Sequence, residues 1–376
     1  MLLPILASVL VVSGAPYVGD IRGALQTSFP NHYRSVIAIV VASAVLAAIV
    51  SALVRVRSRG ESAATRAGRT YPGWFRYSLL GAAVVIGVVY TRLVSTGNFD
   101  VDLVEAFHFV EYGLIAHLFY RACRHRPDVG ALVLPASASL LVGIVDEYVQ
   151  WFVPGRVGEL HDVWLNAVAI GCGLLLSVAI HHPPASLGLP TRRSSRAAIA
   201  SIVGLVILVG AAFVDRVHLG YEIADERVGM FRSGLDAQTL TRAAVERPAT
   251  WRIAEPPTRG LAREDHYLSE GLWHVQERNI ALADGDAVTA WYENVILEQY
   301  YPPVLERGAQ LTIDQRTDLE RRVHNVPPQG FVSTAHPYPI YIISRGLFWT
   351  AIALAIGVAL WVCLREPSRE PVGAIA

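Results

Sequence analysis

Long apolar runs, separated by loops that carry arginine, constrain this chain more than any other feature. Runs of membrane length fall at residues 34–54, 74–94, 105–121, 129–150, 163–181, 197–214 and 341–363. With the apolar N-terminus MLLPILASVLVVSGAP they make about eight spans, each near the roughly 20 residues that cross a bilayer core as a helix. Lipid offers no hydrogen bonds to a backbone, so each run must satisfy its peptide groups internally and become helical. The expected fold is all-α: a polytopic helical membrane protein with a small, mainly helical domain outside the bilayer. Residues 1–15 match a secretory apolar region in length, yet they lack a positive leading segment, and Pro16 directly follows the small-residue cleavage position. They read as a first span, with cleavage as the lesser alternative.

Arginine gives the orientation. Arg55, Arg57, Arg59, Arg66, Arg69 and Arg76 crowd one loop; Arg121, Arg124 and Arg126 mark another; Arg192, Arg193 and Arg196 a third; Arg365 and Arg369 the tail. Counting spans between them puts every cluster on the same side, so the positive-inside rule makes both termini cytoplasmic. The expected location is a bacterial cytoplasmic (inner) membrane, crossed many times. The segment 215–340 then falls outside; it is polar and too long for a plain loop, so it reads as an extracytoplasmic domain. Boundaries follow: an N-terminal hairpin and basic loop at 1–74, a core at 75–181, a linker and span at 182–214, the outer domain at 215–340 and an anchor at 341–376.

Composition excludes several functions. Hydrophobic residues are 53% of the chain and mean hydropathy is +0.38, unlike an ordinary soluble protein. All 32 basic side chains are arginine and 32 acidic ones balance them, so no nucleic-acid partner is indicated. Cys123, Cys172 and Cys363 lie in or beside apolar runs, which leaves no disulfide framework or zinc spacing. No cofactor is implied. In the outer segment, 264–283 and 286–305 read as a helical hairpin, with Gly285 as stop and Asp286 as the next N-cap. The apolar stripes are Leu268, Leu272, Val275 and Val288, Trp291, Val295. Tyr300-Tyr301-Pro302-Pro303 ends the second helix. His274, Glu277, Trp291, Tyr292, Glu293 and Asn294 read as a solvated helix surface with aromatics packed between helices, a carbohydrate-binding face being the alternative.

Polar side chains concentrate between residues 104 and 173. His108 and Tyr112 share one face of their run at i and i+4; Asp146 and Gln150 share a face of the next, with Glu147 beside them. Asp162 is placed to cap the following helix, with Asn166 at i+4 and Gly173 on the same stripe. Phe152, Pro154, Gly155 and Arg156 form the connecting turn. Carboxylates inside a span cost of order 2.5–3.5 kcal/mol at a helix centre, which makes such a cluster a site by default. The bland explanation is a structural network that joins helices, at about 0.6–1.7 kcal/mol per bond. It accounts for one or two such groups better than for this many.

This pattern, His108-x-x-x-Tyr112, Asp146-Glu147-x-x-Gln150, Pro154-Gly155-Arg156, Asp162-x-x-x-Asn166 and Gly173, resembles the VanZ-like family of bacterial membrane proteins over roughly residues 75–181. The chain departs from the family where an Asp-Lys pair usually precedes the histidine, having Val104 and Glu105, and where a glycine usually follows the asparagine, having Ala169. The resemblance implies a membrane core of that type and a link to glycopeptide (teicoplanin) resistance; it implies no reaction.

Three readings of the cluster follow. Arg156 with Asn and Gln donors suits an anionic or sugar-bearing head group, so the first is a binder of an envelope lipid, a lipid-linked envelope precursor or a glycopeptide. The ligand-contacting set is then His108, Tyr112, Asp146, Glu147, Gln150, Arg156, Asp162 and Asn166. The second is a hydrolase or transferase on a lipid-linked substrate, with Glu147, Asp146 and His108 as acid and base. An ion-coupled carrier fits less well, because the groups gather near one face. His108, Glu147 and Asp162 show no metal-ligand spacing.

Overall fold

A computed structural model describes residues 1–63, 73–95, 97, 99–153, 156–181, 188, 190–250 and 266–365. The chain divides into two compact units. One comprises Met1–Gln150, Leu160–Ala212 and Thr350–Ala376; the other comprises Trp151–Glu159 and Phe213–Trp349.

The first unit is helical: α1 (Leu2–Gly14), α2 (Val18–Ser28), α3 (Tyr33–Ala63), α4 (Gly73–Val94), α5 (Phe99–Cys123), α6 (Gly130–Trp151), α7 (Leu160–Ile180), α8 (Arg193–Val217) and the closing helix α14 (Arg345–Leu364), of which α6, α8 and α14 each run a few residues into the second unit. Among the described residues, seven helical segments are long and apolar enough to cross a membrane. Helix α5, which carries Asp100, Asp102, Glu105 and Glu111, is outside that set. The protein is therefore an all-α polytopic membrane protein. Two expectations shift. The segment after residue 15 continues as helix through Ser28, with a 3-10 turn at Ala15–Tyr17 in place of a loop. Helix α5 starts six residues earlier than its apolar run, at Phe99.

Helices α5 and α7 form the centre. Their paired positions rise together, His108 with Asn166, His117 with Ser177 and Tyr120 with His181, so they run parallel. Small residues set the spacing: a Cβ on Gly173 would lie 2.6 Å from Gly113 Cα. That close approach is the packing lipid favours, since no hydrophobic effect drives helices together there. Tyr112, Ile115, Ala116 and Phe119 of α5 meet Ala169 and Ile170 of α7, with Ala138, Leu140 and Val142 of α6 against them. Helix α4 runs the opposite way to α7, its Leu80 packing on Ala179 and Ile180.

The second unit opens with a β-hairpin absent from the sequence reading. Strands β1 (Tyr221–Asp225) and β2 (Gly229–Ser233) pair antiparallel, Asp225 opposite Gly229, across a three-residue connection. Gly229 has φ 79°, the left-handed conformation such a hairpin needs and glycine supplies without strain. Next come α9 (Ala237–Thr250), α10 (His266–Asp284), α11 (Ala287–Tyr300), a single turn α12 (Pro302–Val304) and α13 (Ile313–Val323). Gly285 at φ 79° stops α10, and Asp286 accepts from Val288 N and Thr289 N to cap α11. A capping box of Thr312 and Gln315 starts α13.

Burial corrects the expected stripes. Leu268 and Val275 pack on the core, whereas Leu272 is 49% exposed. On α11 the fully buried apolar positions are Ala290, Ile296 and Leu297, with Trp291 and Val295 only partly covered. The core joins Ile223, Phe231, Leu240, Tyr267, Ile296, Leu297, Tyr300 and Tyr301. Each such side chain contributes of order 1.5–3 kcal/mol by leaving water.

Candidate functional site

In the membrane unit, six of the polar residues singled out by sequence come together. His108, Asp146, Glu147, Gln150, Asn166 and Tyr112 are all buried, Glu147, Asn166 and Tyr112 completely. Helical spacing explains the placement. His108 and Tyr112 stack one turn apart on α5, their rings 5.8 Å apart at 63°, and Asp146 and Gln150 lie one turn apart at the end of α6.

The bonds form one connected network. Tyr112 donates its hydroxyl to Asp146 Oδ2 at 2.8 Å, and Gln150 Nε2 donates to the same oxygen at 2.8 Å. Gln150 also reaches Glu147 Oε1 at 3.3 Å, and Asn166 Nδ2 points to that oxygen at 3.5 Å. Asn166 Oδ1 lies 3.0 Å from His108 Nδ1. An amide oxygen only accepts, so the Nδ1 proton sits on His108 and the tautomer is set by its neighbour. Gly143 makes the approach possible: a Cβ there would press on Asn166 Cβ at 3.2 Å and Tyr112 Cε1 at 3.4 Å.

The remaining predicted residues are placed differently. Asp162 lies two residues inside α7, in its first turn, because the helix begins at Leu160; it is not the cap. There it still complements the positive end of the helix dipole. Arg156 belongs to the other compact unit, its backbone N–H donating to Val153 O at 3.1 Å. Pro154 and Gly155 fall outside the described residues. Glu105, where the resemblance led to a different residue, is buried at 8% exposure one turn before His108. Among the described residues no group of three or more His, Cys, Asp or Glu is arranged to hold a metal ion.

The second unit holds a polar network that sequence reading missed. Glu270 is fully buried and accepts from His266 Nε2 at 2.8 Å, Ser233 Oγ at 2.6 Å, Gly234 N at 2.7 Å and Tyr301 OH at 2.9 Å. Gly234 is required for this closure, since a Cβ would meet His266 Nε2 at 2.6 Å. Burial alone would raise the Glu270 pKa, yet the imidazoles of His266 and His336 and the donated hydrogen bonds pull it below the usual carboxylate range. His336, 3.8 Å from the same carboxylate, is lowered to about 4 by burial against the opposing pull of Glu270. A second pair joins His274 Nδ1 to Glu293 Oε2 at 2.6 Å, with Ser333 Oγ on the other oxygen. Nearby, Arg278 donates to Asn294. His274, Glu293 and Asn294 are thus core residues and not part of a solvated surface, while Tyr292 and Trp291 pack against neighbouring elements as expected of the aromatics. The sequence signal was the i, i+4 spacing of His266 and Glu270, which is unremarkable until β2 and residue 336 are brought against it.

A family model described as VanZ/LLP1 matches residues 37–181. No curated protein and no solved structure matched the chain. The matched segment holds α4 to α7 and all six networked residues, and it stops before the second unit's main body. Over residues 37–181 the chain is similar to VanZ-like membrane proteins.

Proposed function

We propose that the network of α5, α6 and α7 binds the polar head group of an envelope lipid, a lipid-linked envelope precursor or a glycopeptide, at the outward-facing end of the bundle. The observation that carries this is the pair of adjacent buried carboxylates, Asp146 and Glu147, held among amide, phenol and imidazole side chains inside a membrane unit. Evolution tolerates buried carboxylates in a bilayer where they contact a ligand or an ion path. Asp162 with Asn166 completes the polar set on α7, and Arg156 is put to the test below on its chemistry alone, since a guanidinium suits an anionic group. The proposed orientation puts both termini in the cytoplasm of a bacterium and the second unit outside its inner membrane, on the arginine bias of the loops.

A second reading rests on the adjacency of His108 to this carboxylate pair through Asn166, an arrangement that also suits acid and base catalysis on a lipid-linked substrate. One experiment separates them. Cells expressing wild type, Glu147→Gln or Arg156→Ala are challenged with a glycopeptide, the host lacking an outer membrane, with membrane abundance measured alongside. Protection by wild type, lost in both variants at equal abundance, supports the proposal. A loss confined to Glu147→Gln, with a glycopeptide or lipid still retained, favours the enzyme. Wild type that gives no protection at good abundance removes glycopeptide resistance from the proposal.

A further inference from the structure

The opposite end of the α4–α5–α7 core is basic. Four side chains converge on the last turn of α7 and the residue that follows it. Arg76, at the start of α4 and only 4% exposed, donates Nε to Ala179 O at 2.9 Å. Tyr120 donates to His181 O, and His117 Nδ1 lies 2.9 Å from Ser177 Oγ. Ser177 itself donates to Gly173 O, so it accepts from His117. The rings of His117 and His181 stack at 6.0 Å and 28°. Arg124 Nη1 lies 2.7 Å from His181 Nδ1. A guanidinium only donates, so His181 accepts and is neutral there.

The negative end of a helix dipole explains part of this. Carbonyls at the end of α7 attract Arg76 and Tyr120. Arg124 is different. Its bond goes to a neutral imidazole, and its Nε is buried with no hydrogen-bond partner among the described residues. Among the described residues of 51–58, 73–80, 117–131, 177–181 and 190–199, the only carboxylate is Asp128. Arg126 and the Gly130 N–H already occupy it. Arg55 and Arg121 add exposed positive charge, Arg55 lying between Ala52 and Val56, which pack on Ala179 and Ile180. Among the described residues Arg124 has no ion pair; a half-buried guanidinium without a counter-charge is expensive, and basic pockets between spans hold lipid phosphates.

We infer that this end of the core binds a phosphate anion through Arg124, with His181 holding the guanidinium in position, and that an anionic lipid head group supplies the phosphate. The inference is independent of the network at His108.

The test uses the full chain, purified and placed in nanodiscs of phosphatidylglycerol or phosphatidylcholine, with lipid retention read by native mass spectrometry. Wild type retains phosphatidylglycerol over phosphatidylcholine by about tenfold, the scale of one charge-assisted contact. Arg124→Gln brings the ratio near one, and Arg193→Gln, the same charge lost from an exposed site at the start of α8, leaves it unchanged. Arg124→Lys keeps the charge and folds where glutamine fails; it retains an intermediate preference because an ammonium lacks the planar fork. Thermal stabilisation by inorganic phosphate, lost in Arg124→Gln, without lipid preference keeps the site and assigns it a soluble phosphate. An equal loss in Arg193→Gln reduces the effect to diffuse surface charge and overturns the inference. Absence of both lipid preference and phosphate stabilisation in wild type overturns it as well.

Discussion

The two units each bury carboxylates beside a histidine and a tyrosine, and they do so in opposite ways. In the second unit each oxygen of Glu270 is met by donors: an imidazole and a backbone N–H on one, two hydroxyls on the other. In the membrane unit two carboxylates are adjacent in sequence and share the amide of Gln150. The first arrangement balances one negative charge against surrounding donors, which is how a fold stabilises a buried ion. The second places two carboxylates side by side, sharing one amide donor. The contrast sets a structural role for Glu270 against the ligand role proposed for Asp146 and Glu147.

Breaking each network should expose the difference. Glu270→Gln is expected to cost the second unit about 3–5 kcal/mol, the range for removing one partner of a buried ion pair. Thermal unfolding of the full chain followed by limited proteolysis of residues 213–349 reads it; a shift under 1 kcal/mol would make Glu270 a candidate for something other than stability.

Acid should act on the same unit. His336 has a folded pKa of about 4 against 6.5 unperturbed, so between those values the unfolded chain binds more protons and stability falls as pH falls. A shift of that size corresponds to about 3 kcal/mol. Glu270, with its folded pKa depressed, adds a further loss below its unfolded value near 4.5. Melting temperature of the second unit, followed from pH 7.5 to 4, should therefore drop, and His336→Asn should flatten the upper part of that decline. An unchanged slope in the variant would assign the effect to other groups.

Within the membrane unit, Gly173→Val should separate α5 from α7, since any Cβ meets Gly113 backbone. Overpacking of this kind costs about 1–3 kcal/mol, measurable as a lower melting temperature in detergent. Glu147→Gln should be the mildest. It removes one of two adjacent carboxylates and keeps the shape, so stability should change by less than about 1 kcal/mol in either direction. A large destabilisation would place Glu147 in the same class as Glu270 and dissolve the comparison.

Much of the membrane unit was legible in the sequence because two strong rules apply there. Apolar length dictates helices, and helical spacing puts His108 under Tyr112 and Asp146 under Gln150 without further information. The second unit lacked such rules. Tyr221–Asp225 and Gly229–Ser233 are too short and mixed in character to announce a hairpin, and half-polar helices gave misleading stripes at Leu272. Burial of His274, Glu293 and Asn294 followed from packing partners far along the chain, which no local pattern encodes.

The sequence by itself determined that the chain is a helical membrane protein, six members of the buried polar network and the similarity to VanZ-like proteins, because lipid penalises every unsatisfied peptide group and leaves few alternatives. Only the tertiary structure decided which donors each buried carboxylate receives. It also decided that Arg124 meets a neutral His181 in place of an acid, and that Gly234 admits the His266–Glu270 pair. Those outcomes depend on contacts between helices and strands tens of residues apart, where an ångström of backbone approach separates a bonded ion from a costly one.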